Sequence, residues 1–237
     1  QSTCNNKYVC PKITEKTHCS NGGIDGYTTY IVSLVIQPNM DIKNIYAMYG
    51  DEDHVMHIPK AYQGNKQFNK NIGGISQAII NINPDSNYDS WLTIGITDGD
   101  QQDKVSTIGI DFDLWTEEQS LDVDNGAVFL MNPEEVLFQN EYIVGQLTIP
   151  TNEVDGFIIN VQGKLIHSNN PWKELGIIFI LQSTQRDNSI PPDCKSWYDG
   201  CNTCIVNNGV LGGCTRLMCF TEDTPRCLSY VQHAIGH

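Results

Sequence analysis

Cysteine is missing from the whole middle of this chain. Cys4, Cys10 and Cys19 lie at one end, Cys194, Cys201, Cys204, Cys214, Cys219 and Cys227 at the other, and none between. A chain kept in a reducing compartment has no reason to segregate its thiols, whereas a secreted one needs staples where short, loop-rich ends cannot build a core. An oxidising, extracellular setting is therefore expected, and the start at Gln1 fits a mature secreted protein. Long apolar runs are also lacking. The longest, Leu175 to Leu181, has the length of a strand, far short of the ~20 residues that a membrane helix takes, so membrane insertion is not expected. Basic charge is scarce: 14 Lys and Arg face 28 Asp and Glu, for a net charge of -14 with no basic cluster. Nucleic acid, which is bound by grouped Lys and Arg that release counterions, is excluded as a partner on this count, and anionic membranes are disfavoured.

Several motifs are absent too. There is no H-E-x-x-H, no G-x-S-x-G, no phosphate-cradling glycine loop and no papain-like cysteine setting. No residue is assigned as catalytic and no enzyme is expected; among so many acids, nothing singles out the pair of carboxylates that a glycoside hydrolase would need. No Asn-x-Ser/Thr sequon occurs, and Asn202-Thr-Cys204 is only the rare cysteine variant, so if the chain is a glycoprotein its sugars are expected on Ser or Thr.

What the chain does have is alternation. Leu92, Ile94 and Ile96 recur at every second position, and after a polar loop so do Ile108, Ile110 and Phe112, which predicts two neighbouring antiparallel strands. Further strands are predicted over 27–36, with Tyr30, Val32, Leu34 and Ile36 on one face, and over 42–48, 54–58, 127–131 and 142–149, the last with Ile143, Leu147 and Ile149 aligned. The segment 72–82 is read as a strand bent at Gly73-Gly74, 157–165 as the most regular strand of all, and 172–181 as a buried one. Helix is expected to be minor, at most a turn within 113–120. About ten strands without convincing helical periodicity predict an all-β fold, a β-sandwich or jelly-roll-like body with a small disulfide-rich C-terminal module. The divisions are a Cys-bearing, loop-like arm over 1–25, the body over 26–186, and the module over 187–237, where Asn207-Asn208-Gly209 signals a hairpin.

Two loops gather acids. Asp98, Asp100 and Asp103 form D-G-D-x-x-D, and Asp122 and Asp124 precede Asn125-Gly126. Calcium takes hard oxygen ligands from such turns, so these five aspartates are its candidate ligands, although neither loop has the twelve-residue helix-loop-helix spacing. Solvated turns punctuating hairpins are the plainer reading. His54 and His57, three apart, point to opposite faces of a strand and make no shared metal site. Zinc asks for paired ligands at both ends of a loop, a form that only Cys201-x2-Cys204 has, so the nine cysteines are read as disulfide-forming. Nine is odd, and one cysteine without a partner invites a bond to a second chain. Trp91, Trp115, Trp172 and Trp197, with Tyr27, Tyr46, Tyr49, Tyr62 and Tyr88, are the candidate aromatics for stacking on carbohydrate, with core or interface packing the plainer reading.

Asn71-Ile-Gly-Gly-Ile75, Asp89-Ser-Trp-Leu-Thr-Ile-Gly-Ile-Thr-Asp-Gly-Asp100, Ile108-Gly-Ile-Asp-Phe-Asp-Leu-Trp115 and Val123-Asp-Asn-Gly-Ala-Val-Phe129 together resemble a pattern of uncharacterised secreted proteins of algae and other protists, some with a similar Cys-rich tail. The resemblance spans about residues 40 to 220. That group carries no established reaction to transfer; the resemblance implies a surface or matrix role compatible with subunits of extracellular fibrils. The expected function is a structural subunit, a homo-oligomer or filament joined head to tail through its terminal segments. The alternative is a secreted calcium-dependent carbohydrate-binding or adhesion module.

Overall fold

A computed structural model describes residues 4–17, 23–135, 137–151, 154–168, 170–182, 190–191, 193–207, 210–215 and 225–230. Cys19, Cys219 and most of the Asp187–Pro192 boundary lie outside the described residues.

The fold is all-β, as the alternation predicts. One sheet has the order β1 (Val9–Thr17), β2 (Tyr27–Ile36), β9 (Glu141–Pro150), β5 (Trp91–Leu92). A second, seven-stranded sheet runs β6 (Val105–Ile108), β8 (Gly126–Leu130), β3 (Ile42–Gly50), β10 (Val154–Leu165), β4 (Met56–Ile58), β7 (Leu121–Val123), with β11 (Pro171–Gln182) paired to β10. Residues from both sheets form a single core: Tyr30, Val32, Leu34, Tyr142 and Leu147 from the first meet Ile45, Met48, Phe157, Ile159, Val161 and Phe179 from the second. A third sheet, β14 (Val210–Cys214), β13 (Thr203–Asn207), β12 (Cys194–Tyr198), β15 (Arg226–Tyr230), has its own small core of Cys194, Trp197 and Val206. The hairpin signal at 207–209 lies where Asn207 pairs with Val210.

Four expectations are corrected. Leu92 to Ile96 and Ile108 to Phe112 do not pair. β5 is two residues long and joins β9, whereas β6 joins β8, so the two runs enter different sheets. Glycine ends both: Gly95 and Gly109 have φ of 72° and 70°, where an extended strand cannot continue. The stretch 72–82 is no strand either. Ile72 and Gly74 make single bridges, to Leu92 and Asp98, and Gln77–Ile82 is an α-helix, α1, whose N-cap Ser76 accepts the Ile79 N–H. The arm is less loop-like than its polarity suggests. β1 pairs with β2 from Val9 to Thr17, and Val9 is fully buried. Last, β11 is buried on one face only: Trp172, Ile177, Phe179 and Leu181 point inward, while Leu175, Ile178 and Ile180 remain exposed.

Bulges explain the phase errors. The register between β2 and β9 shifts at Val32/Ser33, which places Tyr142 and Val144 in the core ahead of Leu147 and turns Ile143 to the outer side. In β11 a shift beside Gly176, with φ of 61°, separates inward Trp172 from inward Ile177 by five residues.

Candidate functional site

The acidic loop 98–104 is built as a clamped turn. The Asp98 carboxylate accepts the Asp100 N–H, and Asp100, itself 8% exposed, accepts Lys104 N–H at 2.8 Å and Val105 N–H at 2.9 Å. Asp100 and Asp103 adopt φ of 50° and 49°, a region tolerated by Asp because its short side chain bonds locally. The loop rests against the chain before α1. Gly99 donates to the Gly73 carbonyl, the Lys70 ammonium donates to the Gly99 carbonyl, and a Cβ on Gly73 would lie 2.5 Å from that of Asp100. That close approach is what Gly73-Gly74 is for. Asp122 stands on β7 rather than in a turn, opposite His57 of β4, with Oδ1 2.5 Å from His57 Nδ1; Asp155 Oδ1 lies 3.7 Å from the other ring nitrogen. The five aspartates named as calcium ligands are thus divided, Asp98, Asp100 and Asp103 in this turn and Asp122 and Asp124 at β7, and among the described residues no group of three or more His, Cys, Asp or Glu is arranged to hold a metal.

The histidine with two carboxylate neighbours is invisible in the sequence, because it arises from register across β4, β7 and β10. The same holds for Asp89. Fully buried, it accepts Gly64 N–H at 2.7 Å and Lys70 N–H at 3.0 Å, tying the 64–70 loop to the body. Burial raises its pKa to about 6, against the opposing effect of those N–H donors. Lys16 bonds through its ammonium to Asn87 and to Gln146 Oε1. Lys16 is an exposed residue, yet the protein around its ammonium desolvates it and lowers its pKa to about 8. Lys16, Asn87 and Gln146, with Gln77, Asp98 and Gln101, line an open groove of about 430 Å³.

All four tryptophans are buried. Trp115 donates to the Pro59 carbonyl and Trp172 to that of Lys164, so their polar ends are spent inside the fold. In the C-terminal sheet Cys194 is bonded to Cys227 and Cys204 to Cys214, Cys201 is also disulfide-bonded, and at the other end Cys4 closes on Cys10. The Cys201-x2-Cys204 pair is therefore not a zinc knuckle.

Compared with protein-family models, with curated proteins and with solved structures, the chain matches none. The chemistry on offer has to be judged from its own surface. Among the exposed apolar residues described there are Leu175, Ile178, Ile180 and Val154 on β11 and β10, and Ile205, Leu228 and Tyr230 on the third sheet.

Proposed function

We propose that this chain is an extracellular structural protein, a subunit of a filament or matrix built from copies of itself and joined through its end regions. The observation that supports this reading is the C-terminal sheet. Among the described residues its own core cluster is Cys194, Trp197 and Val206, while Ile205, Leu228 and Tyr230 stand outside at 62%, 48% and 53% exposure, on a module stapled by disulfides. Apolar side chains placed outward on a rigid, crosslinked element suit contact with another protein surface. The N-terminal segment plays a different part from a donated strand, because Val9–Thr17 is already paired along its length. The acidic character, -14 overall, keeps the unassembled subunit soluble. Negative-stain microscopy of the native, unreduced protein tests this: filaments or sheets are expected, and dispersed single particles at high concentration contradict it.

A second reading, a secreted carbohydrate-binding or adhesion module, is favoured by the groove beside Lys16, where Gln77, Asn87, Gln101 and Asp98 offer the amide and carboxylate groups that pair with sugar hydroxyls. Glycan-array binding with and without calcium separates it from the first.

A further inference from the structure

We propose that the outer edge of β11, from Ile177 to Leu181, is a joint at which two copies of this chain pair strand to strand, antiparallel about a two-fold axis at Phe179. This rests on the reading that the protein assembles with itself, and it names one contact surface.

Sheet edges present unpaired N–H and C=O groups, and proteins that stay apart guard them with short strands, proline or charge. The other edges of the two large sheets are guarded in this way. β1 carries Pro11, Lys12, Glu15 and Lys16; β5 is two residues long and β6 four; β7 carries Asp122. β11 is twelve residues long, pairs with β10 on one side, and among the described residues has no strand on the other. From Leu175 to Gln182 it reads Leu-Gly-Ile-Ile-Phe-Ile-Leu-Gln, without charge or proline. Such a segment is a template for another strand.

The N-terminal half of β11 is less open. Glu174 accepts the Tyr8 N–H at 2.8 Å and Trp172 packs on the Tyr8 ring, so β1 begins beside this part. The bulge at Gly176 separates it from the regular run 177–181, which confines the joint to that run.

Self-pairing fits better than pairing with a different chain for two reasons. With Phe179 on the axis, Ile178 of one copy faces Ile180 of the other on the outer surface, and Ile177 faces Leu181 on the inner one, so every cross-strand pair is apolar and similar in size. Each copy also carries a net charge of -14, which repels a second copy wherever acids are exposed; the charge-free run is where two such molecules approach without that cost. The outer surface of this run is correspondingly apolar. Ile178 is 50% and Ile180 55% exposed; on β10 they face Ile158 and Gly156, above which the space is open, and Val154, opposite Gln182, is exposed at the start of that strand. A two-fold joint closes on itself as a pair, so growth into a filament takes a second contact, for which the C-terminal sheet is available.

The test uses the full chain. Ile178→Lys and Ile180→Lys alter exposed positions and leave the core alone; Ile108→Lys, at a still more exposed position on β6 at the far edge of the same sheet, is the control. Sedimentation velocity should show self-association weakened by roughly tenfold or more in the two β11 variants and unchanged in the control. Amide exchange at 177–181 should slow as wild-type concentration rises. If the wild type associates but both β11 variants associate equally well, this joint is wrong while the assembly reading stands. Amides at 177–181 protected equally at all concentrations would mean that the chain's own residues cover the edge, which also overturns the joint. A wild type that never associates removes both.

Discussion

Asn160 of β10 holds Gly176 of β11: its Oδ1 accepts the Gly176 N–H at 2.9 Å, while its amide donates to the carbonyls of Tyr49 and His54. One fully buried polar side chain thereby fixes the bulge that decides which residues of β11 face outward, and ties it to the end of β3. Replacing it with Leu takes a partner from three backbone groups, of which the His54 carbonyl keeps the Asp51 N–H, and a loss of about 2–4 kcal/mol is expected. Gly176→Ala has open space for its Cβ and meets only the cost of a left-handed φ, about 1–2 kcal/mol. Urea unfolding of both variants checks the order; equal losses would mean that the hydrogen bonds of Asn160 matter little.

Asp89 gives the fold a pH signature. Its pKa in the folded protein, about 6, lies above the ~4 of an unfolded aspartate, so folding takes up a proton between these values. Its contribution is fully present below pH ~4, is lost as pH rises through about 6, and is flat beyond. Glu134 has the opposite sign in a lower window. Hydrogen bonds from Lys164 and Lys43 depress its pKa to about 2, so its contribution is present above the ordinary carboxylate value and fades as pH falls toward 2. Asp89→Asn loses one acceptor for the loop N–H groups and is less stable, but relative to wild type it should recover between pH ~4 and 6. Parallel stability profiles for the two proteins would contradict this.

For Asp100 the prediction separates a turn from a metal site. Its two oxygens accept the N–H groups of Lys104 and Val105, so Asp100→Ala is expected to cost about 1–3 kcal/mol through those bonds alone. The melting-temperature drop should then be the same in excess calcium and in chelator. A drop that appears only with calcium present would return the loop to calcium binding.

In the C-terminal module the pairings Cys194–Cys227 and Cys204–Cys214 should appear as linked peptides after proteolysis without reduction. Removing the first, which spans 33 residues, by a double alanine substitution should destabilise the module by roughly 3–4 kcal/mol if chain entropy dominates. Recovery of a Cys201–Cys204 peptide would refute the arrangement.

The parts of this molecule that could be read from its sequence are those fixed by local alternation. β2, β9 and β10 were each visible as a run of apolar residues two apart, and the stapled tail as a run of cysteines. The errors share a cause: a bulge or a left-handed glycine changes the phase without changing composition. Alternation aligns Ile143 with Leu147 although the bulge beside Gly145 reverses it, and Gly95 and Gly109 cut short two runs that alternate well on paper. Polar Val9–Thr17 hid a strand because an edge strand needs few apolar residues. The relationships that matter most to the surface, His57 with Asp122 and the edge of β11 that meets no further strand among the described residues, depend on which strands become neighbours across the chain, and no local pattern encodes that.

Self-association is the property on which this account stands, and sedimentation velocity of the unreduced wild-type protein over a wide range of concentration measures it directly. The account predicts a sedimentation coefficient that climbs with concentration as pairs and then longer assemblies form. A single monomer boundary, unchanged up to the highest concentration reached, would contradict it.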